Sequence, residues 1–108
     1  MIAQKTGEPS ETIRERVLQG RQKAQVRFQN DTISCNAQMQ SHHLREYCQL
    51  DDNSRKLIEG AIRKLGLSAR GMDRILKVSR TIADLADSDN IEVNHVAEAI
   101  QYRTIDRM

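Results

Sequence analysis

The fold of this chain is decided by residues 66–85, which read GLSARGMDRILKVSRTIADL. Apolar residues recur in this stretch every three or four positions, which is the period of an amphipathic helix. Ser68 has the side chain of a helix N-cap, because its hydroxyl accepts a hydrogen bond from a backbone N–H of the first turn. The pattern predicts a long helix from Ala69 to about Asp87. The side chains expected on its buried side are those of Met72, Ile75, Leu76, Ile82, Ala83 and Ala86.

Weaker helical patterns lie on both sides of this stretch. The segments that favour helix are residues 11–28, 41–48, 52–65 and 95–105, with Ser10, Asp51 and Asn94 as expected N-caps. The first of these helices is expected to bury Ile13, Val17, Ala24 and Phe28. No segment alternates as a strand would, so the sequence predicts an all-α bundle of four to five helices. Residues 1–9 are interpreted as a linker and residues 10–108 as one helical domain.

The composition excludes several classes of protein. Charged residues make up 30% and hydrophobic residues 38% of the 108 residues, which is typical of a helical domain that folds in water. No stretch approaches the ~18 apolar residues of a membrane span, so we expect no membrane partner. The net charge of +2 is too small to imply nucleic-acid binding by itself. The first ten residues lack a signal-peptide core and the two cysteines form no CxxC motif, so we expect a cytoplasmic location.

Two residues of the central stretch oppose local helix stability. Arg70 falls in the first turn of the predicted helix, where the helix dipole favours an acidic side chain. Gly71, beside it, is a poor helix former. Two unfavourable residues in succession indicate a functional demand, and an arginine beside unpaired backbone N–H groups suits a phosphate. The alternative is an ion pair between Arg70 and Asp73 or another acidic neighbour, and the residues alone leave both interpretations open.

The chain carries no convincing catalytic motif. Residues 66–71 have the glycine spacing of a P-loop, but Met72 and Asp73 stand where a lysine and a serine or threonine should follow. Ser68 lacks the glycine pattern of a nucleophile elbow and is better explained as a cap. The chain by itself is therefore not expected to be an enzyme.

The histidines and cysteines are also expected to have structural roles. They show no spacing typical of zinc ligands, so we expect no metal site; the residues concerned are Cys35, Cys48, His42 and His43. His42 and His43 are interpreted as a surface pair, and the cysteines as small core or loop residues. His95 is interpreted as a surface or capping residue.

The first predicted helix is rich in basic residues. Only Glu15 offsets the cations of this segment, which are Arg14, Arg16, Arg21, Lys23 and Arg27. The simplest interpretation is a solvated helix face. The functional alternative is a surface for phosphates or an acidic partner, with anion or inter-subunit contacts made by Arg14, Arg16 and Arg21.

Three stretches of the chain together resemble one family of ATPases. They are residues 8–17, residues 66–85 and residues 95–103, and they occur in the same order and register as in that family. On these stretches the chain resembles the C-terminal domain of the magnesium-chelatase-related, ComM-like AAA+ ATPases. The resemblance extends from about Glu8 to Arg107.

The resemblance implies that the chain is the helical lid of a larger ATPase. In such lids an arginine at the start of one helix, called sensor 2, reaches the γ-phosphate of ATP. The Ser68-Ala69-Arg70 start matches that position, so the resemblance assigns the role to Arg70, with Arg74 as second choice. It implies ATP and Mg²⁺ as cofactors of the full-length protein, with neither bound by this chain alone. The implied partners are the AAA+ core domain of the same protein, neighbouring subunits of a ring, and DNA as the substrate of the motor.

Three other interpretations fit the residues. A stand-alone DNA- or protein-binding module would use the basic first helix, and its DNA binding would depend steeply on salt. The second interpretation is the lid of a true magnesium chelatase subunit, which is a relative, but the sequence of residues 68–85 differs from that lid. A small enzyme or metal protein would rely on the histidines and cysteines, and metal content after purification would reveal it.

Overall fold

The structure is a computed structural model that describes the backbone of residues 10–107 and the side chains of residues 10–103. This part of the chain forms five α-helices and one short 3₁₀ turn, and contains no strand. The helices are α1 (Ser10–Arg27), α2 (Ser41–Tyr47), α3 (Asp52–Leu65), α4 (Ala69–Leu85) and α5 (Val93–Arg107), and the 3₁₀ turn spans Asn36–Gln38. The prediction of an all-α bundle is confirmed. The predicted linker, residues 1–9, lies outside the described residues.

The caps of α3 and α4 follow from local sequence signals. At the start of α3, Oδ1 of Asp51 accepts a hydrogen bond from the backbone N–H of Ser54 at 2.7 Å. Gly66 ends the same helix in the left-handed conformation, with φ at 64°. At the start of α4, Oγ of Ser68 accepts from the backbone N–H of Gly71 at 3.2 Å. The N-cap predictions for Asp51 and Ser68 are therefore confirmed.

The C-terminal end of α4 lies at Leu85 rather than at the predicted Asp87. The backbone N–H of Ala86 is shared between the carbonyls of Ile82 and Ala83, at 3.0 and 3.2 Å, which tightens the last turn. Asp87 then adopts a left-handed φ of 57° and directs the chain away from the helix axis. Ala86 is exposed as a result, and its predicted place in the core is wrong.

Two histidine side chains accept hydrogen bonds from the backbone N–H groups just before α2 and α5. Nδ1 of His43 accepts from the backbone N–H of Gln40, and Nδ1 of His95 accepts from that of Glu92, each at 3.0 Å. The prediction of Asn94 as the N-cap of α5 is wrong, because the helix begins at Val93 and Asn94 lies within its first turn. Both rings are buried, with relative exposures of 3% and 4%, so the surface position predicted for His43 is also wrong.

The core lies around α4, which packs against α1, α2 and α5, while α3 packs against α5. Ile58, Ile75 and Val96 are almost fully buried at its centre, and burial of such a side chain stabilises a fold by about 1.5–3 kcal/mol. Most of the predicted buried side of α4 is confirmed, with Ile75, Leu76 and Ala83 buried and Met72 and Ile82 partly buried. Within residues 10–107, no helix combines the length and hydropathy of a membrane span.

Only the C-terminal half of α1 is buried. Gly20 and Ala24 face α4, and a Cβ atom at Gly20 would lie 3.1 Å from Cδ2 of Leu85. Ile13 and Val17 are 42% and 37% exposed, so their predicted burial is wrong. The apolar stripe of α1 continues into the N-terminal half of the helix, where residues 10–18 are all exposed.

A buried ionic cluster fastens α1 to α4. Arg27 donates to both carboxylate oxygens of Asp84, at 2.7 and 2.9 Å. Arg80 lies 3.2 Å from the same carboxylate, and Nδ2 of Asn36 donates to it at 2.9 Å. Asp84 itself is only 2% exposed. A carboxylate at this depth is tolerated because every side of it is paired.

Candidate functional site

Arg70 occupies the second position of α4, and its side chain is exposed. The first N–H groups of a helix have no acceptor within the helix, and Ser68 satisfies only that of Gly71. Among the described residues no carboxylate pairs with Arg70. Asp73, the expected structural partner, instead lines a groove between α2, α3 and α4. The first turn of α4 therefore presents a cation together with unpaired backbone donors.

Arg74 lies one turn after Arg70 on the same side of α4, and it is also exposed. It lines a groove of about 470 Å³ between α4 and α5, which we call the α4–α5 groove. The apolar lining of this groove includes Val78, Ile82, Leu85 and Tyr102, and Lys77 is a second cation in it. The two predicted sensor residues thus share one face, with Arg70 at the helix start and Arg74 at the groove.

Arg103 is a cation at the start of α4 that the sequence reasoning missed. Its Nη2 lies 3.8 Å from the position that a Cβ atom on Gly71 would take. Its Nε is buried and has no hydrogen-bond partner. The guanidinium of Arg103 therefore lies near Gly71 in the first turn of α4. The spacing along the chain gives no signal for this contact, because it depends on how α5 packs on α4.

The basic residues of α1 lie apart from Arg70. Arg14, Arg16 and Arg21 are all exposed. Arg21 lines a second groove, of about 360 Å³, together with Val17 and Leu85, which we call the α1–α4 groove. Leu85 is about 22 Å from Arg70 along the axis of α4, at 1.5 Å per residue. Arg21 and Arg70 therefore do not belong to one phosphate site.

The histidine and cysteine side chains take part in local packing. Nε2 of His43 lies 2.8 Å from Oδ2 of Asp31, and this hydrogen bond lowers the pKa of the Asp31 carboxyl. Cys35 is exposed, whereas Cys48 is buried, and its burial raises the pKa of the Cys48 thiol to about 11. Within the described part of the chain, no three histidine, cysteine or acidic side chains come together in a way that would hold a metal ion.

Residues 7–103 match the family described as magnesium chelatase, subunit ChlI C-terminal. The chain belongs to this family. The match includes all of α1 to α4 and α5 as far as Arg103. Arg70 and Arg103 therefore both lie within the ChlI C-terminal domain. The resemblance to this family that the sequence showed is confirmed.

Individual relatives of this ChlI C-terminal domain include proteins of several bacteria. Uncharacterized protein YifB of Escherichia coli and competence protein ComM of Haemophilus influenzae are each 42% identical to it over 102 residues. Uncharacterized protein YifB of Salmonella typhimurium is 38% identical over the same length. These alignments cover 94% of this chain but only 19% of each relative. The chain thus spans about a fifth of their length. No solved structure matches it.

Proposed function

We propose that this chain is the lid domain of a ComM-like AAA+ ATPase and that Arg70 senses the terminal phosphate of ATP. The observation that carries the proposal is an exposed arginine, without a described partner, in the first turn of the central helix. Membership of the ChlI C-terminal family supports it, as does the small share of each relative that the chain covers. Because a cation at a helix N-terminus is unfavourable, Arg70 does not stabilise α4, and this supports a role in binding.

The chemistry of the proposed site is electrostatic. A γ-phosphate that approached the first turn of α4 would meet the guanidinium of Arg70 and the free N–H groups of the helix start. Arg103, whose Nη2 lies near Gly71, adds a second positive charge in the region of this turn. Such groups stabilise negative charge that develops during phosphoryl transfer, and the attraction ends when the phosphate leaves. Lid closure would thereby follow nucleotide state.

Binding and hydrolysis of ATP belong, in this proposal, to a core domain in the longer protein. The described residues offer no cluster of carboxylates for Mg²⁺, so no step of the proposal passes through a metal held by this chain. In this proposal the lid alone is expected to hydrolyse nothing. The longer protein is proposed to be a cytoplasmic ring motor that acts on DNA, for which the support is the similarity to a competence protein.

The test is the substitution Arg70→Ala in the longer protein. We expect the ATPase rate to fall about a hundredfold, which is typical for removal of one group that stabilises transition-state charge. Arg63→Ala is the matched control, because Arg63 is an exposed arginine on α3. Circular dichroism of both variants checks that the lid is folded. Wild-type turnover in the Arg70→Ala protein would remove Arg70 from this role.

A second candidate function is a stand-alone module that binds DNA through α1. The exposed positions of Arg14 and Arg21 favour it. Binding of duplex DNA by this chain alone, with an affinity that falls steeply between low and physiological salt, would support the module. A lid would show weak and nonspecific binding in the same titration.

A further inference from the structure

One side of the domain carries a long apolar depression. The α4–α5 groove and the α1–α4 groove share Ala37, Thr81 and Leu85 in their linings, so the two grooves are adjacent, and we call the pair the trough. Val78 and Tyr102 are 37% and 51% exposed in it. Large apolar side chains that are exposed side by side in a concave surface are typical of an interaction site.

The N-terminal half of α1 extends this apolar surface. Val17 lines the trough, and Ile13 lies one turn earlier on the same stripe. The stripe continues that of Gly20 and Ala24, which are buried against α4. Ile13 and Val17 therefore form an apolar edge beside the trough, and they are 42% and 37% exposed.

The edges of this surface are mainly positive. Arg21 lines it from α1, and Arg74 and Lys77 line it from α4. Within residues 10–103 none of these three cations has a carboxylate partner. The exposed acidic side chain in the lining is Glu98, which accepts a hydrogen bond from the hydroxyl of Tyr102 at 3.2 Å. The other, Asp84, is buried and neutralised by Arg27.

We propose that this trough binds an acidic amphipathic α-helix of a partner protein. The distance from Arg74 to Leu85 along α4 is about 16 Å, which equals about three turns of a bound helix. A helix that presents apolar residues at positions i, i+4, i+7 and i+11 would place them on the floor formed by Val78, Ile82 and Leu85. Acidic residues beside that stripe would face the cations at the edges.

A second copy of this chain is a poorer occupant. The exposed stripe of its α1, with Ile13 and Val17, is accompanied by Arg14 and Arg21 and would bring cations against cations. An acidic residue beside the stripe could offset this repulsion between cations. Glu11 does not do so, because it lies about 160° away from Ile13 around the helix, at 100° per residue. Duplex DNA is also a poorer occupant, because its phosphates would leave the apolar floor uncovered. The proposal goes beyond the lid function and uses no nucleotide, so either can fail without the other.

The experiment is a fluorescence anisotropy titration of this chain into a labelled peptide. The peptide has about 14 residues, with leucines at the helical spacing given above and glutamates beside them. We expect saturable binding that weakens as salt is added, because the edge contacts are ionic. A peptide with lysines in place of the glutamates should bind at least about tenfold more weakly.

Variants of the chain locate the binding. Lys77→Glu should weaken binding of the acidic peptide by about tenfold, because it places like charges together. Lys56→Glu, at an exposed position on α3 outside the trough, should leave it unchanged. Val78→Asp tests the apolar floor, and circular dichroism checks that each variant is folded. Failure of the acidic peptide to bind, equal binding of the lysine peptide, preference for duplex DNA, or equal loss in Lys56→Glu would overturn the proposal.

Discussion

Near the C-terminal end of α4 two arginines share a buried carboxylate, whereas the arginines near its first turn have no such partner among the described residues. Arg27 and Arg80 surround the buried carboxylate of Asp84, and the Nη atoms of Arg80 also donate to the carbonyls of Tyr47, Ser88 and Asp89 at 2.9–3.3 Å. At the other end Arg70 and Arg103 have no described acidic partner. The difference separates arginines that hold the bundle together from arginines that are available to a ligand.

Asp84→Ala should give the largest effect on stability. It leaves Arg27 and Arg80 without their shared carboxylate, and loss of one member of a buried ionic cluster costs about 3–5 kcal/mol. Chemical denaturation followed by circular dichroism measures the change. Asp89→Ala is the control, because Asp89 pairs with Lys23 at the surface, and its loss should cost less than about 1 kcal/mol. Equal effects of the two substitutions would show that the cluster is not structural.

Leu76→Ala should destabilise the domain by about 2–5 kcal/mol, because the substitution leaves a cavity in the core. Leu76 is 8% exposed on the apolar side of α4, between the two ends compared above. The same denaturation experiment provides the measurement. A change below 1 kcal/mol would mean that the middle of α4 contributes little, and that the ionic cluster dominates the packing of this helix.

Arg70→Glu should slightly stabilise the domain, whereas the two substitutions above destabilise it. It replaces a cation in the first turn of α4 by an anion, which the helix dipole favours by about 0.3–1 kcal/mol. We expect this chain to become slightly more stable and, if the proposed function is right, the ATPase rate of the longer protein to fall. A clear loss of stability would instead indicate that Arg70 makes a structural contact, and the contrast between the two ends of α4 would disappear.

The hydrogen bond between His43 and Asp31 should stabilise the fold at neutral pH and lose this effect in acid. The hydrogen bond from His43 lowers the pKa of Asp31 below its usual 3.8. A lowered pKa in the folded state contributes stability above the unfolded value, and this contribution is lost as the pH falls through the folded value. The denaturation midpoint of the wild type should therefore fall more than that of Asp31→Asn below about pH 4. Parallel curves would show that the bond is not coupled to folding.

Part of the candidate site could be predicted from the sequence. Ser68 and the apolar period of residues 69–85 place Arg70 in the first turn of a helix, and the structure has it there. Its role as a phosphate sensor stays a prediction. Arg103 could not be found in this way, because it approaches Gly71 only through the packing of two helices.

The sequence by itself determined the helices and the caps at Asp51, Gly66 and Ser68, since these depend on hydrogen bonds and periodicities within about four residues. Only the tertiary structure decided which polar residues are buried and which apolar ones are exposed. Asp84 is buried because Arg27, 57 residues away, reaches it, and Ile13 is exposed because α1 extends past its neighbour. Such contacts depend on where whole helices lie, and the spacing of residues along the chain does not determine this.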